Sequence, residues 1–128
     1  RDEILTIKPG RELDALIAEK VMGWKRAFNP RGFHVWVTKF SDDGRVLLYH
    51  REDEWNPSEK MSVAWEVEEK AIEEDPSMYV HALASVVFGY NQVQDISDIR
   101  KMCMLIHATP EQRCKAALLA VIEKEDAQ

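Results

Sequence analysis

The sequence predicts an α+β fold, a three-layer alpha-beta-alpha sandwich in which helices cover an antiparallel sheet. Three segments space their apolar residues as an amphipathic helix does, and other segments are rich in β-branched and aromatic residues. Their order along the chain is helix, two strands, helix, two strands, helix. Elements in that order bury their apolar sides together when the strands form an antiparallel sheet. We therefore expect about four mostly antiparallel strands and three helices in one domain, residues 1–128.

The first predicted helix covers residues 11–24. Pro-Gly at positions 9 and 10 marks its start, and the glycine at position 23 interrupts the helical pattern. Asn-Pro-Arg-Gly at residues 29–32 has the chemistry of a turn. One face of this helix carries Leu13, Leu16, Ile17, Val21 and Trp24.

A β-hairpin is predicted at residues 33–51. Residues 33–40 and 45–51 are rich in β-branched and aromatic side chains, and Ser-Asp-Asp-Gly lies between them. Both faces of the first strand carry bulky side chains, with Trp36 on one face and Val35 and Val37 on the other. We therefore expect both faces to be covered at least in part.

The second predicted helix follows Pro57-Ser58, with Ser58 as its N-cap, and ends at Asp75-Pro76. Its apolar face is expected to place Trp65 in the core. Residues 78–88 and 102–107 are predicted as strands, joined by a polar surface loop at residues 89–100. The other residues of the predicted apolar face are Met61, Ala64, Ala71 and Ile72.

The third predicted helix begins at Thr109-Pro110-Glu111-Gln112. This run combines an N-cap Thr, a Pro at the first helical position, an acid in the first turn and a Gln that completes a capping box. Its buried stripe is predicted to be Cys114, Ala117, Leu118 and Val121.

The composition disfavours several classes of function. The 23 acidic and 17 basic residues give a net charge of -6, whereas contact with a nucleic-acid backbone rests on clustered Lys and Arg. The apolar runs are far shorter than the ~20 residues that cross a bilayer. Two cysteines are too few for a secreted disulfide scaffold, and both are expected to be small buried hydrophobes. We expect a protein of a reducing cytoplasm, with no membrane contact and with nucleic acid disfavoured as a partner.

No sequence motif predicts catalysis or a cofactor. The chain has no Gly-x-Ser-x-Gly turn, no phosphate-binding glycine loop and no Cys-x-x-Cys pair. His34, His50 and His81 each fall in a predicted strand, so a zinc site across the sheet is an open alternative to ordinary hydrogen-bonded histidines. Acidic runs at residues 52–54 and 73–75 suit a solvated surface, a divalent cation or a basic protein partner.

The candidate ligand site consists of Arg51, Trp55, Asn56 and Ser58. Trp55 follows an acidic loop, where a core position is less natural than a contact position. Asn56 and Ser58 precede the second predicted helix, whose N-terminus favours an anionic or carbonyl group. Arg51 could add a guanidinium fork for a phosphate or carboxylate. In the alternative interpretation Ser58 caps the helix, Trp55 packs under the loop, and Arg51 pairs with Glu52 or Glu54.

A second surface, formed by Trp24, Arg26 and Phe28, is a candidate interface. These residues lie in a local basic and aromatic segment, residues 20–31, which a solvated helix end also explains. Because both faces of the hairpin and this segment carry apolar bulk, we expect a homo-oligomer, at least a homodimer.

Three stretches of the chain resemble the phage ABA sandwich domain family, small proteins of phages and prophages. The first places Gly-Arg-Glu-Leu-Asp ahead of Lys-Val-Met-Gly-Trp within residues 9–24, and the others are residues 58–68 and 114–121. Family members often carry an aromatic residue before the Ser that opens the second helix and an Asp two residues after it. This chain has Pro57 and Lys60 there. The resemblance implies the sandwich fold and a phage context, and it implies no agreed activity.

The function expected from these observations is binding without catalysis. We expect a phage accessory protein that binds a host protein or a small anionic metabolite in the host cytoplasm, as a counter-defence inhibitor or a ligand-sequestering sponge. The competing interpretation is a small enzyme acting on a nucleotide or amino-acid derivative, with Ser58, His50 or His81 as acid-base or polar groups.

Overall fold

The structure is a computed structural model that describes residues 2–89 and 99–126. In these ranges it has six α-helices and a three-stranded antiparallel sheet. The α+β class is confirmed, whereas the expected four strands and three helices are wrong. The helices are α1 (Asp2–Thr6), α2 (Arg11–Leu16), α3 (Met61–Glu74), α4 (Pro76–Phe88), α5 (Ile99–Ile106) and α6 (Pro110–Asp126). The strands are β1 (Lys25–Phe28), β2 (His34–Phe40) and β3 (Val46–Arg51); a π-helical segment (Ile17–Val21) continues α2, and a 3₁₀ turn (Glu52–Glu54) follows β3.

The sheet is a meander with β2 in the centre, and it contains the predicted hairpin. Trp36 on β2 lies opposite Arg26 on β1 and opposite His50 on β3. The hairpin turn places Gly44 at a φ of 85°, a left-handed conformation that glycine adopts without a steric cost. The strand β1 corrects the interpretation of residues 25–28 as the solvated end of a helix.

Helix α6 is the centre of the fold. It contacts α1, α3, α4 and the π-helical segment, and every residue from 113 to 120 is buried. A helix that is buried on all sides needs small side chains where neighbours approach closely, and alanines stand at positions 116, 117 and 120. Its predicted capping box is confirmed, because Gln112 N donates to Thr109 Oγ1 at 3.1 Å and Thr109 N donates to Gln112 Oε1 at 2.9 Å.

Two buried cations on α6, Arg113 and Lys115, form hydrogen bonds or ion pairs with the neighbouring elements. The Arg113 guanidinium donates to the carbonyl oxygens of Ala108 at 3.0 Å and Ile106 at 2.7 Å, and it forms an ion pair with Glu68 on α3. Lys115 Nζ donates to the carbonyl oxygen of Leu5 at 2.9 Å. A buried charge is tolerated only where such partners replace water. These contacts therefore fix α1, α3 and the end of α5 around α6.

The two later predicted strands are helices. Residues 78–88 belong to α4, which Asp75 caps by accepting a hydrogen bond from Met78 N at 3.1 Å, with Pro76 in the first turn. Residues 102–106 belong to α5. Of the surface loop predicted at residues 89–100, positions 90–98 lie outside the described residues, and the last two positions are already helical.

The predicted start and apolar face of the helix after Pro57 are also corrected. This helix, α3, begins at Met61 after Lys60, so Ser58 is not its N-cap. The side chains that pack inward are Ala64, Val67 and Ala71. Trp65 is 58% exposed and Ile72 is 42% exposed, so neither lies in the core. The small inward residues allow α3 to approach α6 closely, which turns the bulky Trp65 outward.

The two cysteines differ from each other. Cys114 is fully buried, as predicted, and burial raises the pKa of its thiol. Cys103 is exposed, so the prediction that it is a buried hydrophobe is wrong. Neither forms a disulfide. Within residues 2–89 and 99–126, no helix has the length and apolarity to cross a membrane.

Candidate functional site

The loop that carries Trp55 and Ser58 is fastened to α2. Ser58 N donates to Asp14 Oδ1 at 2.8 Å, and Gly10 N donates to Ser58 Oγ at 2.9 Å. Trp55 Nε1 donates to the carbonyl oxygen of Asp14 at 2.9 Å. Trp55 is 4% exposed and Ser58 is 3% exposed. Both side chains therefore hold the loop against α2, as the alternative interpretation of Trp55 predicts.

The two arginines beside this loop are paired with acids. The Arg51 guanidinium donates to both carboxylate oxygens of Asp53 at 3.2 Å and lies 4.6 Å from the ring centre of Phe33. The Arg26 guanidinium donates to both carboxylate oxygens of Glu52 at 3.1 Å. These pairs fix the orientation of the acidic turn relative to the sheet. Arg51 therefore has an acidic partner already, although it is Asp53 and not Glu52 or Glu54.

An open groove lies between α2 and the acidic turn. Asn56 contributes a buried side-chain oxygen, Oδ1, for which no hydrogen-bond donor is present among the described residues. Arg11 is the one basic residue of the lining, against four acidic residues. Two of these acids, Glu52 and Asp53, already pair with Arg26 and Arg51, so Arg11 is the one lining cation available for the phosphate or carboxylate ligand expected from the sequence. It is lined by Arg11, Asp14, Glu52, Asp53, Trp55, Asn56 and Glu59.

Asp14 is the buried acid of this groove, with 4% of its surface exposed. Burial raises the pKa of its carboxyl group, and the hydrogen bonds from Ser58 oppose that rise. Loss of water disfavours the charged carboxylate, and the hydrogen-bond donors of Ser58 recover part of the lost solvation. The same carboxyl group thus holds the loop and faces the groove.

Two of the four predicted ligand residues meet in this groove. Trp55 and Asn56 line it, whereas Arg51 and Ser58 do not. Ligand binding by these residues stays a prediction. The sequence analysis did not predict the Asp14 contacts, because they join residues 41 and 44 positions apart and no local pattern predicts such a pairing.

The candidate interface residues lie in different environments. Trp24 is half-buried in an aromatic cluster, with its ring centre 4.6 Å from that of Trp55 and 5.1 Å from that of His50. Arg26 is held by Glu52, as described above. Phe28 is 63% exposed and meets the ring of His34 edge-on at 5.1 Å. Of the three, Phe28 alone presents a free apolar surface.

A second group of exposed apolar residues lies at the end of β2 and along β3, where consecutive residues are exposed on both faces of the sheet. We call it the hairpin surface, and it consists of Phe40, Val46, Leu47, Leu48 and Tyr49. Their exposed fractions are 43%, 47%, 53%, 58% and 47%. The four consecutive apolar residues of β3 were the sequence signal for it, because a strand with one buried face alternates apolar and polar side chains.

The three histidines of the zinc alternative do not all lie on strands. His81 lies on α4 and not on a strand, and its Nδ1 is 2.8 Å from the carbonyl oxygen of Ser77. In the part of the chain that the structure describes, no group of three His, Cys, Asp or Glu side chains is arranged to hold a metal ion.

Comparison with known proteins gives the family and nothing closer. Searches of curated proteins and of solved structures gave no match. The model of the phage ABA sandwich domain matches residues 15–118, which include the hairpin surface and the groove residues of the acidic turn and the following loop, but not Arg11 and Asp14. The chain therefore belongs to the phage ABA sandwich domain family.

Proposed function

We propose that this chain is a non-catalytic phage accessory protein that acts in the host cytoplasm by binding a host protein through the hairpin surface. Inhibition of a host defence protein is the role that such binding would serve. The single observation that carries the proposal is the exposed apolar edge strand β3.

The edge position of β3 supports this proposal. The strand pairs with β2 on one side, and in the described ranges no strand pairs with its other side. Exposed strand edges pair readily with other chains, and proteins that avoid this place charges or prolines on them. Residues 46–49 carry neither. An extended segment of a partner can add to this edge through main-chain hydrogen bonds while its apolar side chains meet those of β3.

The exposed apolar side chains of the hairpin surface would contribute part of the free energy of binding. Full burial of a Leu or Val side chain contributes about 1.5–3 kcal/mol, so each half-exposed residue of the hairpin surface offers roughly 1 kcal/mol. Five such residues and the main-chain hydrogen bonds must outweigh the entropy lost on association. A partner with an extended apolar segment can use both contributions, whereas a small anion in the groove can use neither.

The test is capture from a lysate of the bacterial host with matched variants. The parent chain should retain a stoichiometric host polypeptide, and Leu48→Lys should lose it because the charge would be buried in the contact. Val80→Lys is the control, because Val80 is an exposed apolar residue, 38% exposed, on α4. Retention of the same polypeptide by Leu48→Lys would refute the proposed surface.

The same preparation distinguishes the sponge alternative. Mass spectrometry of small molecules released from the purified protein would show a bound metabolite. A released ligand, together with no host polypeptide, would replace the protein partner by a sequestered metabolite. Asn56→Ala would then be the first variant to test, because Asn56 lines the groove and its buried Oδ1 has no donor among the described residues.

A small enzyme is the second candidate, and Asp14 is the observation that favours it. A buried carboxyl group with a raised pKa, facing a groove, is a common arrangement for a general acid. Turnover of a nucleotide or amino-acid derivative that disappears in Ser58→Ala, with the fold intact by circular dichroism, would support this candidate.

A further inference from the structure

We propose that two copies of this chain associate by packing α5 of each copy against α3 of the other. Each of these helices carries exposed apolar side chains, and the charges that flank them are of opposite sign on the two helices. The contact goes beyond the proposed function, because it uses neither the hairpin surface nor the groove.

Helix α5 presents an apolar stripe to solvent. Ile99, Met102, Cys103 and Ile106 are spaced as positions i, i+3, i+4 and i+7, which places them on one face of the helix. Ile99 is 76% exposed, Met102 49% and Ile106 69%, and Cys103 is exposed as well. An amphipathic helix normally buries this face, so the stripe in the described chain lacks its packing partner.

The charged residues of α5 are basic. Arg100 and Lys101 lie in its first turn, and the helix contains no acid. Lys101 Nζ lies 5.8 Å from the ring centre of Phe88, a contact in which the side chain keeps its positive charge. A surface that receives this helix should therefore combine apolar side chains with carboxylates.

Helix α3 has that combination. Trp65 and Ile72 are 58% and 42% exposed, and they lie seven positions apart on the outer face of the helix. Three glutamates of the same helix, Glu66, Glu69 and Glu73, are also exposed. The two helices are thus complementary both in apolar surface and in charge, which is the arrangement that selects one partner over others.

Symmetry favours a second copy as the occupant. The middle of α3 and the end of α5 lie near each other, because Arg113 forms an ion pair with Glu68 on α3 and donates to the carbonyl oxygen of Ile106 on α5. Two neighbouring complementary surfaces on one chain can meet their counterparts about a twofold axis, so that each contact forms twice. A dimer of this kind covers both apolar surfaces at once.

The experiment is charge exchange followed by sedimentation velocity at low ionic strength. The parent chain should sediment as a species of twice its 14.8 kDa mass at tens of micromolar. Lys101→Glu and Glu69→Lys should each raise the dissociation constant on the order of tenfold, since an attraction becomes a repulsion. The double variant should return to within about threefold of the parent, because the exchanged pair attracts again.

Two matched controls separate this contact from others. Lys39→Glu makes the same charge change on an exposed strand residue, and Phe28→Lys alters the exposed aromatic residue of β1. Both should leave the dissociation constant unchanged. A monomeric parent chain, a double variant no stronger than the single variants, or loss of the dimer in Phe28→Lys would each overturn the proposal.

Discussion

Arg113→Met should destabilise the protein by about 3 kcal/mol, because it removes the cation that joins three elements. Hydrogen bonds from a charged group contribute about 1.5–3 kcal/mol each, and removal of one partner from a buried ion pair costs about 3–5 kcal/mol. The Arg113 side chain is 7% exposed and that of Glu68 is 22% exposed, so water can solvate part of the stranded carboxylate. The expected loss therefore lies at the lower end of that range.

The measurement is the free energy of unfolding in urea, with Lys70→Met as the matched control. Lys70 forms a surface ion pair with Glu74, and its loss should cost no more than about 0.5 kcal/mol. Combining Arg113→Met with Glu68→Gln should give a coupling free energy of at least about 1 kcal/mol. If Arg113→Met lost no more stability than Lys70→Met, the argument that this cation ties the helices together would be wrong.

Two further predictions concern local contacts. Thr109→Ala should lower the free energy of unfolding by about 1 kcal/mol, because the hydroxyl accepts from Gln112 N; an unchanged urea midpoint would contradict that role. Burial raises the pKa of Asp14, so the folded state holds this proton more tightly than the unfolded chain. As the pH rises through the ordinary Asp value of about 3.9 towards the raised folded value, the unfolded chain releases its proton first and stability is lost. Asp14→Asn cannot titrate, so its stability relative to the parent should improve between about pH 3 and pH 7; urea unfolding at the two pH values tests this, and a constant difference would count against a raised pKa.

The elements predicted correctly were those specified by neighbouring residues. The capping box at Thr109 and the hairpin turn at Gly44 each depend on contacts within a few positions, so the sequence contains the whole signal. The helix α4 carried an equally local signal, Asp75 followed by Pro76. That pair was interpreted as the end of one helix, although it also begins the next, and the β-branched and aromatic residues after it then favoured a strand.

The candidate site depended on contacts that no local pattern contains. Trp55 was placed in an exposed loop because acidic and turn-forming residues surround it, and Ser58 was interpreted as the cap of the next helix. Both residues are instead buried and hydrogen-bonded to Asp14. In the sequence, all three strands of the sheet lie between Asp14 and these two residues. The prediction that Trp65 lies in the core was wrong for a related reason, because the sequence does not show which side of α3 packs against α6. Burial is decided by the neighbours of a residue in space.

The central position of α6 determines when the protein can fold during synthesis. The helix on which α1, α3 and α4 pack is the last of the described elements to be translated, and its bond from Lys115 to Leu5 closes a separation of 110 residues. At roughly 5–20 residues per second, the earlier elements wait several seconds with their apolar sides uncovered. Until α6 emerges from the ribosome, the nascent chain can form its hairpin and isolated helical turns, but it has no core. The nascent chain is therefore a substrate for chaperones for most of its synthesis, and it becomes resistant to proteases only after residues 113–120 are released.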